Sequence, residues 1–130
     1  MNKVHVSASR EYDIFIRDGI INSSGKLSAG LVKGRTAVLV SDDNVFPLYA
    51  KAVRKSYENA GFRVLEFTVP HGEKSKCMAQ YIRLLDFLLE SRVTRHDLLV
   101  ALGGGVVGDL TGFAAATFQR GMGLVQIPTT

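Results

Sequence analysis

The chain is poor in the residues that build disulfide scaffolds, metal centres and membrane spans. Its single cysteine, Cys77, excludes an internal disulfide and suits a reducing compartment. Cys77 falls where a helix is expected to begin. With no histidine close in sequence to activate it, it reads as a packing residue of the first turn rather than a nucleophile. The three histidines, His5, His71 and His96, have no metal-ligand spacing, so no metal site is expected among them, and His71 reads as a loop residue rather than a base. No apolar run approaches the length of a bilayer crossing. The start, Met1-Asn-Lys-Val-His-Val, lacks the apolar core of a signal peptide, and a cytoplasmic location is expected. A basic run with interleaved aromatics is also missing. The net charge of +4 comes from scattered residues such as Lys33, Arg35, Lys51, Arg54, Lys55, Lys74 and Lys76, which argues against a nucleic-acid partner. There is no repeat and no low-complexity stretch.

What is present fits one domain: 130 residues, 46% hydrophobic and 22% charged. Residues 2–6 and 11–17 alternate, with Val4 and Val6 facing Tyr12, Ile14 and Ile16, a pattern that predicts an antiparallel hairpin. A short helix is expected over Ile20 to Leu27. Thr36 to Val40 is a continuous apolar run of the kind buried on both faces of a parallel sheet. A helix over 46–59 follows, stopped by Gly61, and then a strand from Phe62 to Val69 closed by Pro70. Residues 75–91 carry Met78, Ile82, Leu85 and Leu89 at helical spacing, which predicts that face as the buried one. A strand from Leu98 to Leu102, a helix from about Val106 to Phe118 and a strand from Leu124 to Ile127 complete the series. The reading is an α/β fold: a Rossmann-like, mainly parallel sheet with helices on both faces, entered through the hairpin.

The most informative stretch is Leu98 to Gly121. An apolar strand ends in Gly103-Gly104-Gly105, and a helix of small residues follows, so bare amides and a positive helix terminus point at whatever lies above the turn. Gly103, Gly105 and Gly108 also satisfy G-x-G-x-x-G. A glycine turn required by close helix–strand packing would look the same.

In a parallel sheet, ligands bind beyond the carboxyl ends of the strands. Four loops of polar or glycine-rich composition fall there: Ser41 to Asn44, Pro70 to Lys76, Gly103 to Asp109, and Thr129-Thr130. Asp42 stands where a carboxylate can accept from ribose hydroxyls, or where it can cap the next helix. Asn44 offers a donor and an acceptor for an adenosine. Glu73 and Lys76 are an acid–base pair at a loop-to-helix junction, readable as a surface ion pair. Asp109 falls in the expected first turn of the glycine-loop helix, where the dipole favours a carboxylate but a diphosphate would be repelled. Arg120, before Gly121, is placed to complement the helix C-terminus, and its fork also matches a phosphate.

The segment Gly-Gly-Gly-Val-Val-Gly-Asp109-x-x-Gly-Phe-x-Ala-Ala-x-x-x-Arg120-Gly, ending in Pro128-Thr-Thr130, resembles the 3-dehydroquinate synthase family of sugar-phosphate cyclases. Ser41-Asp-Asp-Asn44 with Leu48-Tyr49 is similar to that family's first nucleotide loop, and Pro70-His-Gly-Glu-Lys-Ser-Lys76 to its second. The resemblance implies NAD as cofactor, contacted by Asp42, Asn44, Gly72, Glu73, Lys74, Lys76, Gly104, Gly105, Val106, Val107, Gly108, Asp109, Thr129 and Thr130. It places Asp109 and the two threonines towards the nicotinamide, and Arg120 on the substrate phosphate across a homodimer interface. It further implies conversion of 3-deoxy-arabino-heptulosonate 7-phosphate to 3-dehydroquinate and phosphate, in the shikimate route to aromatic amino acids, with a divalent metal such as zinc or cobalt.

The family's metal ligands and most of its substrate residues have no counterpart in these 130 residues. The expectation is therefore an N-terminal NAD-binding domain of a truncated two-domain enzyme, inactive as a synthase by itself. A sister cyclase, a glycerol-phosphate or polyol dehydrogenase, and a non-catalytic nucleotide-binding module remain open alternatives.

Overall fold

The computed structural model describes residues 2–7, 11–16 and 19–129. The hairpin is present as β1 (Asn2–Ser7) and β2 (Glu11–Ile16), with Val4 opposite Ile14 and Val6 opposite Tyr12. Among the described residues it forms a two-stranded antiparallel sheet that precedes the main one in the chain. The main sheet contains β3 (Thr36–Asp42), β4 (Arg63–Val69), β5 (Leu98–Gly103) and β6 (Gly123–Pro128), all parallel, in the order β4-β3-β5-β6. From β3 the chain moves first to one side, to β4, and then to the other, to β5. The strand order therefore reverses between β3 and β5, the place where open α/β sheets hold ligands.

Both faces of the sheet are covered, which explains the near-continuous apolar strands. Ala37 and Leu39 of β3, with Leu98, Val100 and Leu102 of β5, pack against Ala50, Val53 and Tyr57 of α2 (Phe46–Asn59). Val38 and Val40, with Leu99 and Ala101, face α3 (Met78–Glu90) and α4 (Gly105–Thr117). A 3-10 turn over Ile20–Ser23 leads into the short α1 (Ser24–Ser28). Gly25 of α1 meets α2 so closely that an added Cβ would stand 2.3 Å from the Ser56 carbonyl oxygen. Ser28 spends its proton on the Ser24 carbonyl at 2.7 Å, so the Tyr57 hydroxyl donates to Ser28 Oγ at 2.8 Å.

The apolar face expected for α3 is corrected. Leu84 and Leu88 are fully buried and Tyr81, Leu85 and Phe87 partly so, while Met78, Ile82 and Leu89 are 62%, 48% and 59% exposed. The helix carries two apolar stripes, and sheet packing selects the one through Leu84 and Leu88, each contributing about 1.5–3 kcal/mol by burial. Cys77 is corrected as well. It precedes α3 with an extended backbone (φ −150°, ψ 163°) and is exposed, not packed.

Candidate functional site

The carboxyl ends of β3 to β6 carry the four loops singled out in the sequence. At their centre β5 ends at Gly103, and α4 begins two residues later at Gly105. The first amides of a helix have no partner within it, and no side chain caps α4 at Gly104. Gly103 is explained by packing, since an added Cβ would sit 3.1 Å from Val107. Gly105 is not: its Cβ would meet nothing within 4 Å, and its φ is not in the left-handed range. The missing side chain keeps open space in front of uncapped amides. Beside it lies a crevice of about 190 Å³, lined by Gly103, Gly104, Gly105, Gly108, Asp109 and, from β6, Gln126. Val106 and Val107 share this first turn, with Val107 buried beneath it.

Asp109 lies in the second turn of α4, not the first, because the helix starts one residue earlier than its side-chain pattern suggested. Its carboxylate Oδ2 is 2.8 Å from Lys76 Nζ. This corrects the pairing of Lys76 with Glu73. The lysine reaches across to α4, and that hydrogen bond, with the nearby charges of Asp109 and Glu73, holds its amine above the ordinary lysine range. The contact brings the loop after β4 over the glycine turn. It also offsets the negative charge that would otherwise repel an anion there. Within that loop Gly72 has φ +97°, a value that favours glycine, and Glu73–Ser75 form one 3-10 turn including Lys74. Ser75 is buried and donates to the Pro70 carbonyl.

In the loop after β3, Asp42 Oδ1 accepts from the amides of Asn44 at 2.9 Å and Val45 at 2.8 Å. Asp42 thus holds the turn that precedes α2 and does not cap the helix itself, whose N-cap Val45 has no side-chain cap. The neighbouring Asp43 points to the second loop. Its Oδ1 accepts from the His71 amide at 3.0 Å and lies 2.6 Å from His71 Nδ1, and this bond holds the Asp43 carboxyl below the ordinary aspartate range.

Sequence reasoning missed two groups. Ser41, completely buried, donates to the Leu102 carbonyl at 2.7 Å and ties β3 to β5 directly beneath the crevice. A hydroxyl closing an otherwise apolar strand was the available signal. Gln126 lies under α4, its Nε2 3.5 Å from the Gly108 carbonyl. At the end of β6, the Thr129 amide donates to Gly103 at 3.3 Å, while its buried Oγ1 finds no partner among the described residues. Thr130 lies outside the described residues.

Arg120 is not brought to this site. It follows α4 and precedes β6, at the opposite end of the sheet, where Lys33, Arg95, His96 and Arg120 line a cleft of about 390 Å³. Gln119 and Arg120 both have positive φ there, at 47° and 72°. Among the described residues no three of His, Cys, Asp or Glu come together to hold a metal ion. No helix among them is long and apolar enough to cross a membrane.

A family model described as 3-dehydroquinate synthase N-terminal matches residues 66–130. A 3-dehydroquinate synthase of Rhizobium johnstonii is 48% identical over 98% of the chain, and one of Clostridium acetobutylicum is 45% identical over 92%. The chain spans about a third of the length of these relatives, 34% and 33%. Among solved structures it is similar to a 2-deoxy-scyllo-inosose synthase complexed with carbaglucose-6-phosphate, NAD+ and Co2+. That likeness has a TM-score of 0.88 and 20% identity, over 98% of this chain and 35% of that one. A 2-epi-5-epi-valiolone synthase from Streptomyces hygroscopicus with NAD+ and Zn2+ bound matches with a TM-score of 0.75 and 26% identity, over 96% of this chain and 35% of that one.

Proposed function

Because this chain belongs to the 3-dehydroquinate synthase family, we propose that it is the cofactor-binding part of such an enzyme and takes NAD in the crevice above Gly103–Gly108. The observation that carries this reading is the uncapped start of α4, where Gly105 leaves open space in front of the helix amides. The amides of Gly104, Gly105, Val106 and Val107 receive the diphosphate, and the helix dipole favours it. Oδ2 of Asp42 accepts from the adenosine ribose, and Asn44 meets the adenosine from the same loop. Gly72, Glu73, Lys74 and Lys76 close over the ribose and phosphates. Gly108 lets the ligand approach α4, and Asp109, Thr129 and Thr130 face the nicotinamide half.

When bound, NAD supplies a hydride acceptor that is regenerated in each cycle. The residues of this chain bind and orient it. The whole enzyme converts 3-deoxy-arabino-heptulosonate 7-phosphate to 3-dehydroquinate and phosphate, in the shikimate pathway, in the cytoplasm. The divalent metal of that reaction, zinc or cobalt, is held by ligands from the rest of such an enzyme. Arg120 stands a sheet's length from the crevice, so its role on a substrate phosphate belongs to the crevice of a second copy, in a homodimer. The chain by itself therefore releases no phosphate from the substrate when given NAD and zinc.

Calorimetric titration tests the reading. The folded chain should bind NAD and discriminate against NADP, because Asp42 repels a 2′-phosphate. A folded sample giving no heat with millimolar NAD, or one preferring NADP, would overturn it.

A further inference from the structure

Asp43 and His71 are 28 residues apart and belong to different loops, yet one carboxylate oxygen holds His71 at two points. Asp43 Oδ1 takes the backbone amide of His71 at 3.0 Å and approaches its Nδ1 to 2.6 Å. A backbone and a side-chain donor on one acceptor fix both the position and the direction of residue 71. That residue stands immediately before Gly72, whose φ of +97° favours glycine at the turn. From Gly72 the chain passes through the turn Glu73–Ser75 to Lys76, which is bonded to Asp109. The loop is thus pinned at 71 to the β3–α2 connection and at 76 to α4.

We infer that Asp43 and His71 form a positioning latch that sets the Gly72–Lys76 loop over the crevice before a nucleotide arrives. This rests on the reading that the crevice takes NAD. Both side chains are more than half exposed, so the pair does little for the stability of the whole domain. Its effect falls on local opening of the loop and on the ordering cost of binding.

The test is amide hydrogen exchange and NAD titration on the full chain as wild type, Asp43→Ala, Asp43→Asn, His71→Ala and the Asp43→Ala/His71→Ala double variant. The Ser75 and Lys76 amides, bonded to the Gly72 and Glu73 carbonyls, report on the loop. In Asp43→Ala and His71→Ala they should exchange roughly 10-fold faster, with β3 and β5 amides unchanged. NAD affinity should fall roughly 3- to 10-fold in each, from the added cost of ordering the loop. The double variant should be no weaker than the weaker single one, since both remove one contact. Asp43→Asn, which keeps an oxygen acceptor, should retain most of the affinity. Unchanged exchange in the alanine variants overturns the latch, whether or not NAD binds. Faster exchange with unchanged affinity overturns its part in binding. Faster exchange in a chain whose wild type binds no NAD supports the latch on the loop and overturns the NAD reading.

Discussion

Lys76 Nζ stands 2.8 Å from Asp109 Oδ2, so the loop after β4 brings an ammonium to a carboxylate near the uncapped start of α4. Alanine at Lys76 removes a cation from the nucleotide and leaves Asp109 uncompensated. Its NAD affinity should fall about tenfold or more, a loss of about 1.4 kcal/mol in binding. Changing Asp109 as well should recover part of that loss, because the unpaired carboxylate is gone. Equal or additive losses in the double variant would show that the two charges act independently. Glu73→Ala should also weaken NAD while the melting temperature of the free chain barely moves. Unchanged affinity in both Glu73→Ala and Lys76→Ala would return this loop to a purely structural role.

Ser41 gives a prediction with the opposite signature. Its buried hydroxyl donates to Leu102, so Ser41→Ala loses a buried hydrogen bond and leaves a carbonyl short of a partner. The expected cost is about 1 kcal/mol, a drop of roughly 3–6 °C in Tm for a domain of this size. Thermal unfolding within a degree of wild type would contradict it.

Tyr57 sets an alkaline limit. Burial pushes its hydroxyl up to about 12. A tyrosine whose folded value lies above its unfolded value of about 10 contributes stability that is complete below pH 10 and lost as pH rises towards 12. That loss is of order 2–3 kcal/mol. Tyr57→Phe should therefore be less stable than wild type at pH 7, by about 1 kcal/mol for the lost hydrogen bond. The difference should shrink and reverse above pH 11. A gap between the two proteins that stays constant from pH 7 to pH 11.5 would contradict this assignment.

The strands and helices were legible because punctuation and burial agree. Pro70 follows the last residue of β4, Gly61 follows α2 with φ +96°, and the apolar runs 36–40 and 98–102 lie inside strands covered on both faces. The four loops were legible because a parallel sheet puts them at one edge. The buried face of α3 was not. A helix with apolar residues at 78, 79, 81, 82, 84, 85, 87, 88 and 89 offers more than one stripe, and the contact with β4 and α4 decides between them. The side-chain contacts that organise the site were also hidden. Asp43–His71 spans 28 residues and Ser41–Leu102 spans 61, while Lys76 prefers a partner on α4 to the glutamate three residues before it. Such pairings follow from strand order, which periodicity does not specify.

NMR titration of the labelled chain with NAD measures the central claim most directly, because each backbone amide reports separately. Shifts should appear first at Gly104, Gly105, Val106 and Gly108 and extend to Asp42, Gly72 and Lys76, leaving Lys33, Arg95 and Arg120 unmoved. Saturation that shifts the Lys33, Arg95 and Arg120 cleft while the amides of Gly104 to Gly108 stay still would contradict it.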